Sequence, residues 1–151
     1  MRVGFTLLGG RTGTGSYNYI LNLIRVLLEY SDGKIQPIFF IGDDVLENDL
    51  EPFEKLDGLK IVKHRIFNDS ARGNRLIRAI LFGVDNGAQN QFQKHDVDVV
   101  FESAMFFGWR FHIPTIAWMP DFQHKHLKHL FNFSAYWKRE IGFRVQVISG
   151  R

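Results

Sequence analysis

The chain has 151 residues, 45% hydrophobic and 23% charged, the profile of one globular unit that can bury a real core and not of a disordered or fibrous segment. It contains no cysteine, which excludes a disulfide framework and any thiolate metal site and fits a reducing compartment. A net charge of +3 is too small to argue for nucleic acid as a partner.

Residues 2–8 form a β-branched and aliphatic run ended by glycine, read as a central strand. Gly9-Gly10-Arg11-Thr12-Gly13-Thr14-Gly15-Ser16 follows, and then residues 17–30, where Ile20, Leu23, Ile24, Leu27 and Leu28 make one helical stripe. Ser16 is the expected N-cap. Residues 35–41 are a second strand, with Pro37 near its start, where a missing amide hydrogen is tolerated, and Gly42-Asp43-Asp44 closes it. Residues 45–56 read as a short helix and 59–64 as a third strand. Ser70 then precedes a helix over 71–84, with Leu76, Ile77, Ile80, Leu81 and Val84 at helical spacing. That helix either continues past Gly87 toward Gln93 or stops, leaving the polar tract 86–94 as a frayed last turn or a loop.

Residues 97–101, ending at Glu102-Ser103, and 115–118 are almost wholly apolar strands. Such runs suit a parallel sheet covered by helices on both faces. Residues 135–141 read as helical and 143–149 as one more strand, which would need cover from a partner or from further chain, or else fray as an edge. No repeat, low-complexity tract or linker divides the chain. The expected fold class is α/β, a Rossmann-like doubly wound parallel sheet in a single domain spanning residues 1–151.

Sites follow from the strand ends, because an α/β sheet presents its functional loops at the carboxyl ends of its strands. The glycine run between a strand and a helix start lets backbone amides approach an anion, although a tight turn alone would also account for it. It is neither a P-loop, since no lysine follows Gly15, nor the dinucleotide fingerprint, since Asn18 stands where a third glycine would fall. Glu102 and Ser103 are placed to contact a polyol or simply to cap a strand end. Trp109 and the Phe106-Phe107 pair would stack on a sugar ring or pack in the core. Beyond the strand at 115–118, Pro120-Asp121-Phe122-Gln123-His124 gathers an acid, an amide and an imidazole. The metal reading of His124, His126 and His129 is weak, because Lys125 and Lys128 interleave them. His126 and His129 fit a solvated basic segment, whereas His124 lies nearest the strand end with Asp121 in reach as an orienting partner.

The glycine run after the first strand, together with Ile116-Ala117-Trp118-Met119-Pro120-Asp121-Phe122-Gln123-His124, Leu127 and Phe131, resembles the amino-terminal half of a family 4 glycosyltransferase of the GT-B fold. The resemblance spans essentially the whole chain. Pro-Asp-Phe-Gln-His is its specific element, and Lys128 departs from it where that branch usually carries proline. It implies transfer of a sugar from a nucleotide-sugar donor to an acceptor hydroxyl of a glycan or other molecule, with retained anomeric configuration and no essential metal or cofactor. Gly10, Gly13, Thr14 and Gly15 would face the donor diphosphate. His124 would approach the donor sugar from the acceptor side and Asp121 would orient it, while Glu102 and Ser103 would contact substrate. The carboxyl-terminal nucleotide-sugar domain of that family is absent from the sequence, so a second Rossmann domain, on another chain or in a self-associated copy, is the expected partner.

Two other readings compete with the enzyme. One is a non-catalytic sugar- or nucleotide-binding or protein-interaction domain that keeps the fold. The other is a basic nucleic-acid or membrane-surface module built on residues 125–151, which carry six Lys or Arg against the single acid Glu140, a balance that a solvated basic face also explains. The opening residues are too short and too soon broken by glycine for a signal peptide, and no apolar run reaches the ~18 residues of a membrane span. The expected location is therefore cytoplasmic, peripheral to the membrane if the basic end engages it.

Overall fold

The fold is that of a computed structural model describing residues 1–7, 14–103, 105–118 and 122–149. In chain order its elements are β1 (Arg2–Thr6), α1 (Thr14–Tyr30), β2 (Gln36–Ile41), α2 (Glu47–Glu54), β3 (Lys60–Lys63), α3 (Arg72–Phe82), α4 (Asn86–Lys94), β4 (Val99–Ser103), β5 (Thr115–Trp118), α5 (Gln123–His126) and α6 (Phe133–Ser149). The five strands form one sheet in the order β3-β2-β1-β4-β5, every pairing parallel. This is the Rossmann-like α/β arrangement expected from the apolar strands.

The strand sequences dictate two covered faces. Val3, Phe5, Phe39, Ile41 and Phe101 point to one side and pack with Tyr17, Ile20 and Ile24 of α1 and Leu50 and Phe53 of α2. Ile38, Phe40 and Val100 point to the other and pack with Ala88 and Phe92 of α4 and with Phe107, Phe111 and Ile113 of the segment before β5. Period-two alternation sends neighbours to opposite faces, so a strand buried on both sides must be apolar throughout, as Pro37 to Ile41 is. Aromatics carry much of this burial. Phe39 stacks on Phe53 at 4.2 Å, and Phe92 meets Phe40, Phe107 and Phe111 edge-on. Gly4 sits where a Cβ would come within 3.1 Å of Val97 Cγ1, so a side chain there would press on that packing.

Four expectations change. Residues 143–149 are not a strand, because α6 is one helix through Ser149. The alternation of Phe143-Arg144-Val145-Gln146-Val147 imitates a strand, but Tyr136 and Phe143 both turn their rings to His124, and Arg144 reaches Glu140 one turn back. The question of what covers a last strand therefore disappears. Ser16 lies inside the first turn of α1, which begins at Thr14, and so is not its cap. The 86–94 tract is a helix of its own, capped by Asp85, whose Oδ1 accepts from the Ala88 amide. Gly83, left-handed at φ 77°, ends α3 and separates the two helices.

The fourth concerns α3. Its apolar spacing does mark a helix, but only Arg75 and Ala79 of the helix are buried. Leu76, Ile77, Ile80, Leu81 and Phe82 are all exposed. The buried guanidinium of Arg75 bonds Asp85 at 2.6 Å and lies over the Phe67 ring, so a charge and not an aliphatic stripe fixes this helix to the body.

Candidate functional site

The sheet order reverses between β1 and β4: β2 and β3 build outward on one side of β1, and β4 and β5 on the other. In an open parallel sheet the crevice at such a reversal, outside the carboxyl ends of the strands, is where ligands bind. The register brings the ends together, with Phe5 beside Phe101 and Ser103 beside Trp118. Glu102 and Ser103 are thus the last two residues of β4, between the end of β1 and the end of β5. Their side chains, like that of Thr14, are outside the description. So are Gly10, Gly13 and Asp121 altogether.

Gly15 falls within the first turn of α1, exposed, and a Cβ there would meet nothing within 4 Å among the described residues. Packing among the described residues therefore places no demand for glycine at this position. Thr6, the last residue of β1, is buried with its Oγ1 lacking a hydrogen-bond partner among the described residues. A hydroxyl stranded at a strand's carboxyl end next to the glycine run is a rim feature that sequence reading passed over. Tyr19 is another. Its half-exposed ring stacks on Trp118 at 4.5 Å and 13°, and Trp118 and Phe101 continue the aromatic row to Phe5. Tyr19 stands outside the Ile20-Leu23-Ile24 stripe of α1, so only the fold pairs it with β5.

His124 has a different setting from the one expected. It is fully buried, its ring surrounded by Phe122, Phe131, Tyr136 and Phe143 at centroid distances of 5.4 to 6.5 Å. Its Nε2 is 3.2 Å from Glu140 Oε2. Glu140 also accepts from Arg144 Nε at 2.8 Å and lies 3.5 Å from Lys125 Nζ. The Arg144 hydrogen bond, and after it the His124 hydrogen bond, hold the Glu140 carboxyl below its ordinary range; burial works against them, and the charges of Lys125 and Arg144 act in the same direction. An ionised carboxylate only accepts, so His124 Nε2 carries the proton in this contact. Nδ1, also buried, has no partner among the described residues. The acid observed beside His124 is therefore Glu140, sixteen residues on, which the sequence marked only as the lone acid of a basic segment.

His126 and His129 are exposed, as their solvated reading requires. Among the described residues no group of three His, Asp or Glu is placed to hold a metal ion. Phe107 belongs to the core, while Trp109 is half exposed and lies against Gly83 at the end of α3. A shallow depression lined by Arg25, Leu28, Glu29, Lys55, Leu56 and Asp57 sits at the last turns of α1 and α2, the end of the molecule opposite the strands' carboxyl ends. No described helix is long and apolar enough to cross a membrane. Comparison of the chain with protein-family models, with curated proteins and with solved structures finds no match.

Proposed function

We propose that the chain is the acceptor-side half of a GT-B glycosyltransferase, one wall of a cleft that a second Rossmann-like domain completes. The observation that carries this reading is the sheet reversal between β1 and β4: the glycine run, Glu102-Ser103 and the Pro-Asp-Phe-Gln-His segment all leave strand ends at or next to that point. In the proposed reaction the acceptor hydroxyl oxygen bonds to the anomeric carbon of the donor as the bond from that carbon to the diphosphate oxygen breaks, and the hydroxyl proton passes to the departing diphosphate. Negative charge then grows on the leaving diphosphate, where backbone amides around Gly10, Gly13, Thr14 and Gly15 and the positive end of the α1 dipole would stabilise it. Glu102 and Ser103 would bind acceptor hydroxyls, and Asp121 would orient the acceptor-side machinery.

His124 reaches a donor sugar in this scheme only if the Tyr136 and Phe143 rings turn away from it, which would uncover Nδ1 while Nε2 still donates to Glu140. The enclosure of His124 favours a second reading, in which the imidazole is structural and the domain binds a sugar or nucleotide without transferring it. The two separate by assay. With a second Rossmann domain supplied and transfer from a labelled nucleotide sugar followed, His124→Ala should lower turnover by about 10²-fold relative to His129→Ala. His124→Gln can still donate an amide hydrogen to Glu140 and keeps most of the side-chain volume. If it transfers sugar as well as the unaltered protein, His124 has no chemical role.

A further inference from the structure

We propose that α3 is a docking element for an anionic lipid bilayer, lying in the plane of the surface with its outward apolar face at the boundary between headgroups and acyl chains. The helix is attached along a narrow line, Arg75 and Ala79 followed by Gly83. At about 100° per residue, Leu76, Ile77, Ile80 and Leu81 share one outward arc, with Ile77 and Leu81 opposite that line and Leu76 beside it. Their exposures, 45%, 56%, 46% and 71%, invert the usual order, in which a helix hides its apolar stripe and shows its polar one.

Charge identifies the occupant. The helix holds three arginines and no acid. Asp85 neutralises the buried one, Arg75. Arg72 and Arg78 fall on the two borders of the apolar face, and neither is in an ion pair among the described residues. Just past the helix end, Trp109 and Arg110 lie against Gly83, whose Cβ, if it had one, would be 2.7 Å from Trp109 Nε1 and 2.8 Å from Arg110 Cδ. The surface is thus a straight apolar ridge with cations along both margins and an indole at one end, the layering that a bilayer of acyl chain and phosphate complements. A second copy of the same face would set Arg72 and Arg78 against their own counterparts, which disfavours self-association. The basic residues of 125–151, where composition alone located a membrane contact, are engaged differently: Phe133, Trp137 and Ile141 are exposed on α6, but Lys125 and Arg144 are turned to Glu140.

The inference is independent of sugar transfer and is tested without it. The 151-residue chain is sedimented with vesicles of phosphatidylcholine alone or mixed with phosphatidylglycerol. Binding is expected to the mixed vesicles, to fall with added salt, and to weaken roughly ten- to thirtyfold in Arg72→Ala/Arg78→Ala. Ile77→Glu/Leu81→Glu should abolish it, and Lys125→Ala/Lys128→Ala should leave it within about twofold of the unaltered chain. The α3 substitutions are at exposed positions, and unchanged circular dichroism verifies the fold. Equal binding to both kinds of vesicle, no binding to either, full binding by Ile77→Glu/Leu81→Glu, or loss only in the Lys125/Lys128 variant would each overturn the proposal. So would a lipid-free dimer that Ile77→Glu/Leu81→Glu converts to monomer, since the ridge would then be a self-interface.

Discussion

Glu140 connects the last helix to the segment that follows β5. One carboxylate faces His124, Lys125 and Arg144, so the docking of α6 on α5 depends on its being ionised. Its folded pKa is depressed, so the stabilisation it gives is complete above the ordinary carboxylate value and is lost as pH falls through the depressed one. Thermal melts recorded from neutral pH downward should show the unaltered protein more stable than Glu140→Gln near neutrality. That advantage should shrink below the ordinary carboxylate range and vanish below the depressed value. A constant difference across the series would remove Glu140 ionisation from the stability of this region. The sequence offered Asp121, which lies outside the described residues, as the partner of His124 and passed over Glu140, because a contact across sixteen residues depends on the path of α6, and nothing local to Pro-Asp-Phe-Gln-His encodes that path.

At the level of elements, legibility followed the kind of burial each segment has. The strands read clearly, because β1, β2 and β4 are covered on both faces and must be apolar at nearly every position. Helix α6 misread as part strand, since its periodicity is set by the rings around one imidazole and not by a broad sheet. The polar 86–94 tract concealed a helix whose evidence was a single aspartate at its N-cap. The junction between α3 and the 105–111 segment makes a further demand that composition hides. Gly108 has φ 109°, and a Cβ on it would run into the backbone of Gly83 and Val84. The Gly83 carbonyl meanwhile accepts from the Arg110 amide at 2.7 Å. Neither strain nor overlap can be relieved by turning a flexible side chain, so Gly108→Ala is expected to destabilise by at least ~2 kcal/mol in denaturant unfolding. A loss below ~0.5 kcal/mol would mean that this loop shifts freely away from α3.

For the molecule as a whole, the distribution of packing implies a distribution of local stability. The strand amides of β1, β2 and β4 lie between two aromatic layers, whereas α3 itself buries only Arg75 and Ala79 and is otherwise held at its end by Gly83. Hydrogen exchange followed by mass spectrometry, without lipid, should find peptides covering Val3 to Phe5 and Ile38 to Phe40 the most protected and those covering Leu76 to Phe82 among the least. Equal protection of α3 would contradict its thin attachment. The sheet order has a consequence for how such a chain is made. β1 leaves the ribosome before its neighbours and finds β2 some thirty residues later, but its other flank waits for β4, roughly ninety residues behind it. At ~5–20 residues per second, that flank stays open for about 5 to 20 s of synthesis. During that interval the nascent chain presents an apolar strand rich in unpaired amides and carbonyls, and the yield of native protein in the cell should depend on the chaperones that shield it.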